Sequence, residues 1–161
     1  MEHISYVETI GMNERELEEH LGGTNAGVLA LADGGEAYAV PISFRYEGGR
    51  FLLRLTDDGD SEKLAFARAT ESATFVAFGQ DGNDSWSVLA RGPLVEVGEV
   101  EREALLADLD TFGPARLFDE TVTEVEVRVF ELEVESLTGR RTAGVDAWAA
   151  IAGRGERTDT E

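Results

Sequence analysis

Glycine-containing turn signals divide the first hundred residues into short runs with alternating side-chain polarity. Asp33-Gly34-Gly35, Glu47-Gly48-Gly49 and residues 80–84 (QDGND) are typical of turns between strands, because glycine adopts a positive φ without strain. Residues 36–46 (EAYAVPISFRY) place apolar side chains at every second position, as a half-buried strand does. The pattern predicts antiparallel strands joined by tight turns.

The same interpretation, extended along the chain, predicts six strands and three well-marked helices. The strands are expected at residues 27–32, 36–46, 50–56, 73–79, 85–97 and 124–137, and the helices at 13–21, 61–70 and 100–109, with a further helical turn near Trp148. We therefore expect a mainly β protein: a six-stranded antiparallel barrel, closed or partly closed, with flanking helices. We expect one domain over residues 1–152 and a polar tail over 153–161.

Three details sharpen these expectations. Asn13, followed by Glu16, is typical of a helix N-cap with its capping-box partner. Pro41 has no N–H to donate, so its strand must be an edge strand or be unpaired at that point, and Gly92-Pro93 predicts a bulge or bend. The apolar phase reverses near Val129–Phe130, which predicts a bulge in the last strand.

Composition excludes several classes of function. The chain has no cysteine, and its two histidines, His3 and His20, lie near the N-terminus, so we expect no metal site and no Ser-His-Asp triad. The net charge of −19 argues against a nucleic-acid partner, and near-absence of lysine with many acids resembles the surfaces of extremely halophilic proteins. No apolar run is long enough to span a membrane and the start is acidic, so we expect a soluble, cytoplasmic protein.

Lys63 is the chain's only lysine and stands at the start of a predicted helix, beside Asp60 and Glu62. Free backbone N–H groups at a helix start, the Ser61 hydroxyl and the Lys63 ammonium together suit a phosphate group. Alternatively, Asp60 caps the helix and Lys63 is a solvated surface residue. The local pattern leaves both interpretations open.

The order of these features resembles a family, the FMN-binding split-barrel proteins related to pyridoxamine 5′-phosphate oxidase. The resemblance is carried by residues 27–56 (GVLALADGGEAYAVPISFRYEGGRFLLRLT), 60–68 (DSEKLAFAR) and 85–97 (SWSVLARGPLVEV). It implies a homodimer with FMN in a groove at the subunit interface. It also implies a set of cofactor-binding residues: Val40, Pro41, Ile42, Ser43, Thr56, Ser61, Glu62, Lys63, Trp86 and Ser87.

The family resemblance assigns each part of this set to a part of FMN. Residues 40–43 would offer backbone groups to the isoalloxazine edge, and Thr56, Ser61 and Lys63 would line the ribityl and phosphate end, with the Glu62 backbone N–H. Glu62 stands where the oxidase branch has a cation, and Arg54, or Arg141 of the partner subunit, is a candidate for the missing charge. Trp86 and Ser87 would contact the cofactor from the next strand, although Trp86 could instead simply pack on the barrel.

The resemblance implies an FMN-dependent oxidoreductase that acts on a small molecule, either like pyridoxamine 5′-phosphate oxidase or like nitroreductases and flavin reductases, with NAD(P)H as a candidate electron donor. No side chain is predicted as acid or base, and the substrate-binding residues of vitamin B6 oxidation have no clear counterpart. Two alternatives remain open: a deazaflavin-dependent reductase, and a split barrel that binds flavin or haem without turnover as a carrier, sensor or structural dimer.

Overall fold

The computed structural model describes residues 9–57, 62–82, 84–108 and 126–142. Within these residues it contains nine strands rather than the six predicted, and three helices. The strands are β1 (Thr9–Gly11), β2 (Ala26–Asp33), β3 (Glu36–Glu47), β4 (Arg50–Asp57), β5 (Ala73–Asp81), β6 (Asp84–Gly92), β7 (Leu94–Glu96), β8 (Glu126–Leu132) and β9 (Ser136–Thr142). The helices are α1 (Glu14–Gly22), α2 (Glu62–Ala69) and α3 (Glu99–Ala107).

The predicted glycine turns join the first strands. Gly34 and Gly35 connect β2 to β3 with φ of 55° and 90°, and Gly48 and Gly49 connect β3 to β4 with φ of 59° and 80°. Positive φ at both central residues matches the right-handed twist of the flanking strands. These two predicted hairpins are confirmed, and the third, at residues 80–84, joins β5 to β6, where Asp81 opposes Asp84.

All nine strands form one antiparallel sheet, in the order β1-β9-β6-β5-β2-β3-β4-β8-β7. Phe75 on β5 and Phe51 on β4 are separated by three inter-strand spacings, about 14 Å in a flat sheet, yet their ring centroids lie only 5.8 Å apart. The sheet therefore curls around its apolar side, which confirms a mainly β fold of the split-barrel type.

Two chain crossings join the ends of this curled sheet. The connection from β6 to β7 passes through Pro93, and the connection from β8 to β9 runs beside it. Glu133 donates its backbone N–H to the Pro93 carbonyl at 2.9 Å, and Glu135 donates to the Arg91 carbonyl at 2.8 Å. A Cβ on Gly92 would lie 1.7 Å from the Glu133 carbonyl oxygen, so the crossings require glycine there.

The predicted strand at residues 85–97 is thus divided at Pro93, in agreement with the break expected at Gly92-Pro93. The prediction of one bulged strand over 124–137 is wrong. Each residue of β8 from Glu126 to Leu132 opposes one residue of β4, without a bulge. The apolar phase reverses because both faces of β8 are buried: Phe130 joins the main core and Val129 joins a second cluster on the other side.

The main core fills the concave side of the sheet, where α1 and α2 also pack through buried Leu21, Leu64 and Ala67. Its largest buried side chains are Phe44, Phe51, Phe75 and Phe130. The second cluster lies on the convex side, where Leu105 and Leu106 of α3 cover Leu52, Val97 and Val129. We call this convex side of the sheet the outer face.

Helix α1 begins as the sequence predicts, because the Asn13 side chain accepts a hydrogen bond from the Glu16 backbone N–H at 2.9 Å. No helix in the described part of the chain has the length and apolar character that a membrane crossing requires. The domain bounds, the helical turn near Trp148 and the tail at 153–161 stay predictions, because residues 143–161 lie outside the described residues.

Candidate functional site

Arg54 and Ser43 form a polar pair on the outer face. They oppose each other on β4 and β3, and Arg54 Nη2 donates a hydrogen bond to Ser43 Oγ at 3.0 Å. Ser43 is only 4% exposed and is the one buried polar residue among those described. Burial lowers the pKa of the Arg54 guanidinium from its ordinary value, but an arginine remains charged at physiological pH.

A second cation and hydroxyl lie next to the first pair. Thr56 is two residues beyond Arg54 on β4, so the two share a face about 7 Å apart. Lys63, in the first turn of α2, donates from Nζ to Thr56 Oγ1 at 3.0 Å, and its side chain is half-buried. We call Ser43, Arg54, Thr56 and Lys63 the cation strip.

The strip lies where β3 and β4 diverge. The ladder between these strands runs from Glu47↔Arg50 to Ser43↔Arg54 and stops there, although both strands continue. Pro41 lies just past this point and has no N–H for such a ladder. The expectation that β3 is unpaired at Pro41 is confirmed on the β4 side, whereas on the other side Pro41 opposes Val28 of β2. Pro41 and Thr56 therefore stand on the two arms of a fork.

Small and apolar side chains extend from the Pro41 arm across the outer face. Cross-strand pairing places them on one side of β2, β3, β5 and β6, and each is at least partly exposed. Phe78 is a large apolar side chain that is 63% exposed. We call this surface the outer patch: Ala26, Val28, Ala30, Pro41, Val76, Phe78 and Leu89.

The predicted site residues of β3 divide between the two faces. Val40 and Ile42 pack on the main core, and their backbone groups face Leu29 and Gly27 of β2 rather than the fork. The side chains of Pro41 and Ser43 lie on the outer face, as strand alternation requires.

The side chains of Trp86 and Ser87 also lie on opposite faces of the sheet. Trp86 packs against the main core and stacks on His20 of α1, with ring centroids 4.7 Å apart. It lies directly over Gly79, where a Cβ would be 2.4 Å from the indole Nε1. Ser87 lies on the outer face, where it opposes Phe78. The structure therefore does not place the Trp86 side chain beside the cation strip.

The remaining predicted site residues are Glu62 and Ser61. Glu62 is the first residue of α2 and is exposed. Ser61 lies outside the described residues. The structure thus brings Ser43, Thr56 and Lys63 of the predicted set together. It adds Arg54, which the sequence suggested only as a candidate for a missing charge.

Another group of charges lies at the start of α3. A surface cavity of about 520 Å³ is lined there by Arg102, Arg128 and three glutamates, together with Val97 and Gly98. Arg128 Nη2 donates to Glu126 Oε2 at 2.8 Å, and its Nε has no hydrogen-bond partner among the described residues. Because acids outnumber arginines in this cavity, it suits an anion less well than the cation strip does. Within the described residues, no cluster of acids or histidines is placed to hold a metal ion.

The curled antiparallel sheet with two chain crossings defines a split-barrel protein with a polar fork on its outer face. The sequence profile of the pyridoxamine 5′-phosphate oxidase family matches residues 13–141. The chain belongs to this family. No curated protein matches it.

Solved structures with the same fold include three proteins described as binding FAD. The FAD and haem binding protein from Mycobacterium smegmatis is 20% identical, with 88% of this chain and 78% of that chain covered and a TM-score of 0.65. The FAD binding protein from the same organism is 18% identical, with 82% and 97% covered and a TM-score of 0.62. A FAD-binding protein from Mesorhizobium loti is 19% identical, with 84% and 99% covered and a TM-score of 0.63.

Proposed function

We propose that the protein binds a flavin nucleotide, FMN, on its outer face and uses it as an oxidoreductase for a small-molecule substrate. One observation carries the proposal: the cation strip stands beside the outer patch on a chain whose net charge is −19. An anionic group and a flat apolar ring in one ligand match these two neighbouring surfaces.

The phosphate end fits the Thr56 arm of the fork. Lys63 supplies an ammonium group at the first turn of α2, and Thr56 supplies a hydroxyl 3.0 Å from it. The start of α2 adds backbone N–H groups and a partial positive charge, which favour a phosphate. Glu62 provides no second cation at this end; the other cation of the strip, Arg54, is turned toward Ser43 on the β3 side of the fork.

The ring end fits the Pro41 arm. Pro41 and Val28 offer an apolar surface on the outer face. The β3–β4 ladder ends at Ser43, so the Pro41 carbonyl on the β4 side is available to the polar edge of a ring. The residues present therefore suit a flavin in their charge and in their apolar surface.

A second copy of the chain is proposed to cover the flavin. Phe78 is 63% exposed, and Val76 and Leu89 lie beside it on the outer patch. Contiguous exposed apolar surface marks an interaction site, and a two-fold dimer would place the same patch of each copy against the other. The flavin would then lie in a groove between two subunits, shielded from water.

Bound flavin supplies hydride transfer between a donor, proposed to be NAD(P)H, and a small-molecule acceptor. The protein holds the phosphate, orients the ring and excludes water. The strip contains only hydroxyls, a guanidinium and an ammonium, and no carboxylate, imidazole or thiol. We therefore assign it a binding and electrostatic role.

The visible spectrum of the purified protein tests the proposal. We expect a yellow chromophore, released on denaturation and identified as FMN by mass; release of FAD, haem or a deazaflavin would instead identify that cofactor. A colourless protein that does not bind added FMN would refute flavin binding. Lys63→Gln is expected to weaken FMN binding at least tenfold, because charge-assisted hydrogen bonds to phosphate are strong. Light scattering should give twice the chain mass, and a monomeric mass for the holoprotein would refute the dimer.

A flavin-binding protein without turnover is the second candidate. It is favoured by the same absence of a carboxylate, imidazole or thiol from the cation strip. Anaerobic addition of NADH or NADPH to the holoprotein separates the two. Rapid bleaching of the flavin supports a reductase, and a spectrum that stays unchanged supports a carrier or sensor.

A further inference from the structure

Arg54 and Lys63 hold their positive charges in different parts of the fork. The Arg54 guanidinium reaches from β4 across to Ser43 of β3, at 3.0 Å. The Lys63 ammonium stays on the β4 arm, where it contacts Thr56. Arg54 is therefore turned toward the strand that carries Pro41, whereas Lys63 stands at the first turn of α2. A ligand that spans the fork meets the two cations with different chemical groups.

The two ends of FMN differ in how their charge responds to reduction. The phosphate carries the same charge in both oxidation states. The ring is neutral when oxidised, and uptake of a hydride, which is two electrons and one proton, from a reduced nicotinamide leaves the ring with one negative charge and the nicotinamide oxidised. A cation fixed near the ring thus stabilises the reduced form, and a cation at the phosphate stabilises both forms equally.

We infer that Arg54 makes the protein bind reduced flavin more tightly than oxidised flavin, whereas Lys63 contributes equally to both. The inference rests on the proposed function and deepens it by assigning the two cations separate tasks. The geometry that carries it is the hydrogen bond to Ser43, which holds the guanidinium on the β3 side of the fork.

Burial strengthens the effect. Arg54 is half-buried, and this burial lowers the pKa of its guanidinium. A poorly hydrated cation interacts more strongly with a nearby developing charge, since less solvent screens the pair. Arg54 retains its positive charge throughout the physiological range.

The experiment compares Arg54→Gln and Lys63→Gln, each with FMN and with riboflavin, which lacks the phosphate. Dissociation constants for oxidised flavin are measured by titration, and reduction potentials of bound flavin by anaerobic equilibration with a reference dye. Arg54→Gln is expected to lower the preference for reduced flavin about tenfold, equivalent to about 30 mV for a two-electron couple, with either ligand. Lys63→Gln is expected to weaken FMN in both oxidation states by a similar factor and to leave riboflavin binding nearly unchanged.

Two further variants are controls. Arg54→Lys keeps the charge and should restore most of the preference for reduced flavin. Arg15→Gln removes one positive charge from α1, where the side chain is 87% exposed. It should change neither the dissociation constant of flavin nor the reduction potential of bound flavin.

The outcomes separate the inference from the proposed function. If the unaltered protein binds FMN but Arg54→Gln changes the affinities for oxidised and reduced flavin equally, or changes neither affinity, the inference is overturned. If the unaltered protein binds no flavin, the proposed function itself fails. Should Arg54→Gln not fold, Ser43→Ala removes the hydroxyl that holds the guanidinium, and an unchanged potential in that variant also overturns the inference.

Discussion

Gly92→Ala tests the closure of the barrel. The added Cβ would lie 1.7 Å from the Glu133 carbonyl oxygen, whereas real contacts of this kind are essentially never shorter than 3.0 Å. One of the two crossings must therefore move by about 1.3 Å, the difference between these two distances. The atom in the way belongs to the backbone and cannot rotate aside.

The cost follows from what that movement disrupts. Overpacking of this kind costs about 1–3 kcal/mol, and each of the two backbone hydrogen bonds between the crossings contributes about 1 kcal/mol. Reduced freedom of the unfolded chain offsets about 0.4–1 kcal/mol for glycine to alanine. We therefore expect Gly92→Ala to lower the free energy of unfolding by about 3 kcal/mol, which is large for a single substitution.

Urea unfolding followed by far-ultraviolet circular dichroism at constant salt gives the comparison. Gly98→Ala is the matched control, because a Cβ there meets nothing within 4 Å and the backbone φ is an ordinary −62°. We expect the control to differ from the unaltered protein by less than about 0.5 kcal/mol. Equal urea midpoints for the two variants would show that the crossings are not packed against each other at Gly92.

Three other predictions concern side-chain placement and charge. Gly79→Ala should displace the Trp86 ring, which would lower the melting temperature and alter indole fluorescence. The variant should bind flavin as tightly as the unaltered protein does, and a loss of flavin affinity would instead place Trp86 at the cofactor. Burial, reinforced by Glu18 and Glu14, raises the pKa of Tyr46 in the folded protein. The contribution of Tyr46 to the free energy of unfolding should therefore be complete below about pH 10 and fall at higher pH, because the tyrosine of the unfolded chain ionises first. Tyr46→Phe should remove this loss, and identical alkaline stability profiles of the two proteins would contradict the assignment. Finally, the melting temperature should rise with salt between about 0.01 and 1 M, as the Debye length falls from about 30 to about 3 Å, and a melting temperature independent of salt would refute dominant repulsion among the acids.

Local signals predicted the hairpins, the cap at Asn13 and the break at Gly92-Pro93, because each depends on residues adjacent in sequence. The reversal of apolar phase near Val129 was misinterpreted as a bulge because the sequence does not say that a strand is covered on both faces. That cover comes from α3, whose Leu105 and Leu106 pack on the outer face.

One contact of the candidate site could have been predicted from the sequence, and the other could not. A two-residue turn at Gly48–Gly49 makes Glu47 oppose Arg50, and the same register then brings Ser43 opposite Arg54. That pair could therefore have been predicted from the turn alone. The contact between Thr56 and Lys63 could not, because it depends on how the chain returns between β4 and α2.

The cation strip reconciles the proposed anion site with the acidic composition of the chain. A net charge of −19 repels anions at long range, but salt screens exposed charges and acts much less on partly buried ones. Exposed cations such as Arg15 and Arg50 pair with glutamates, which cancels their charge locally. The hydroxyls of Ser43 and Thr56 orient Arg54 and Lys63 without adding a negative charge. An acidic surface and an anion site can therefore coexist when the cations of the site are partly buried.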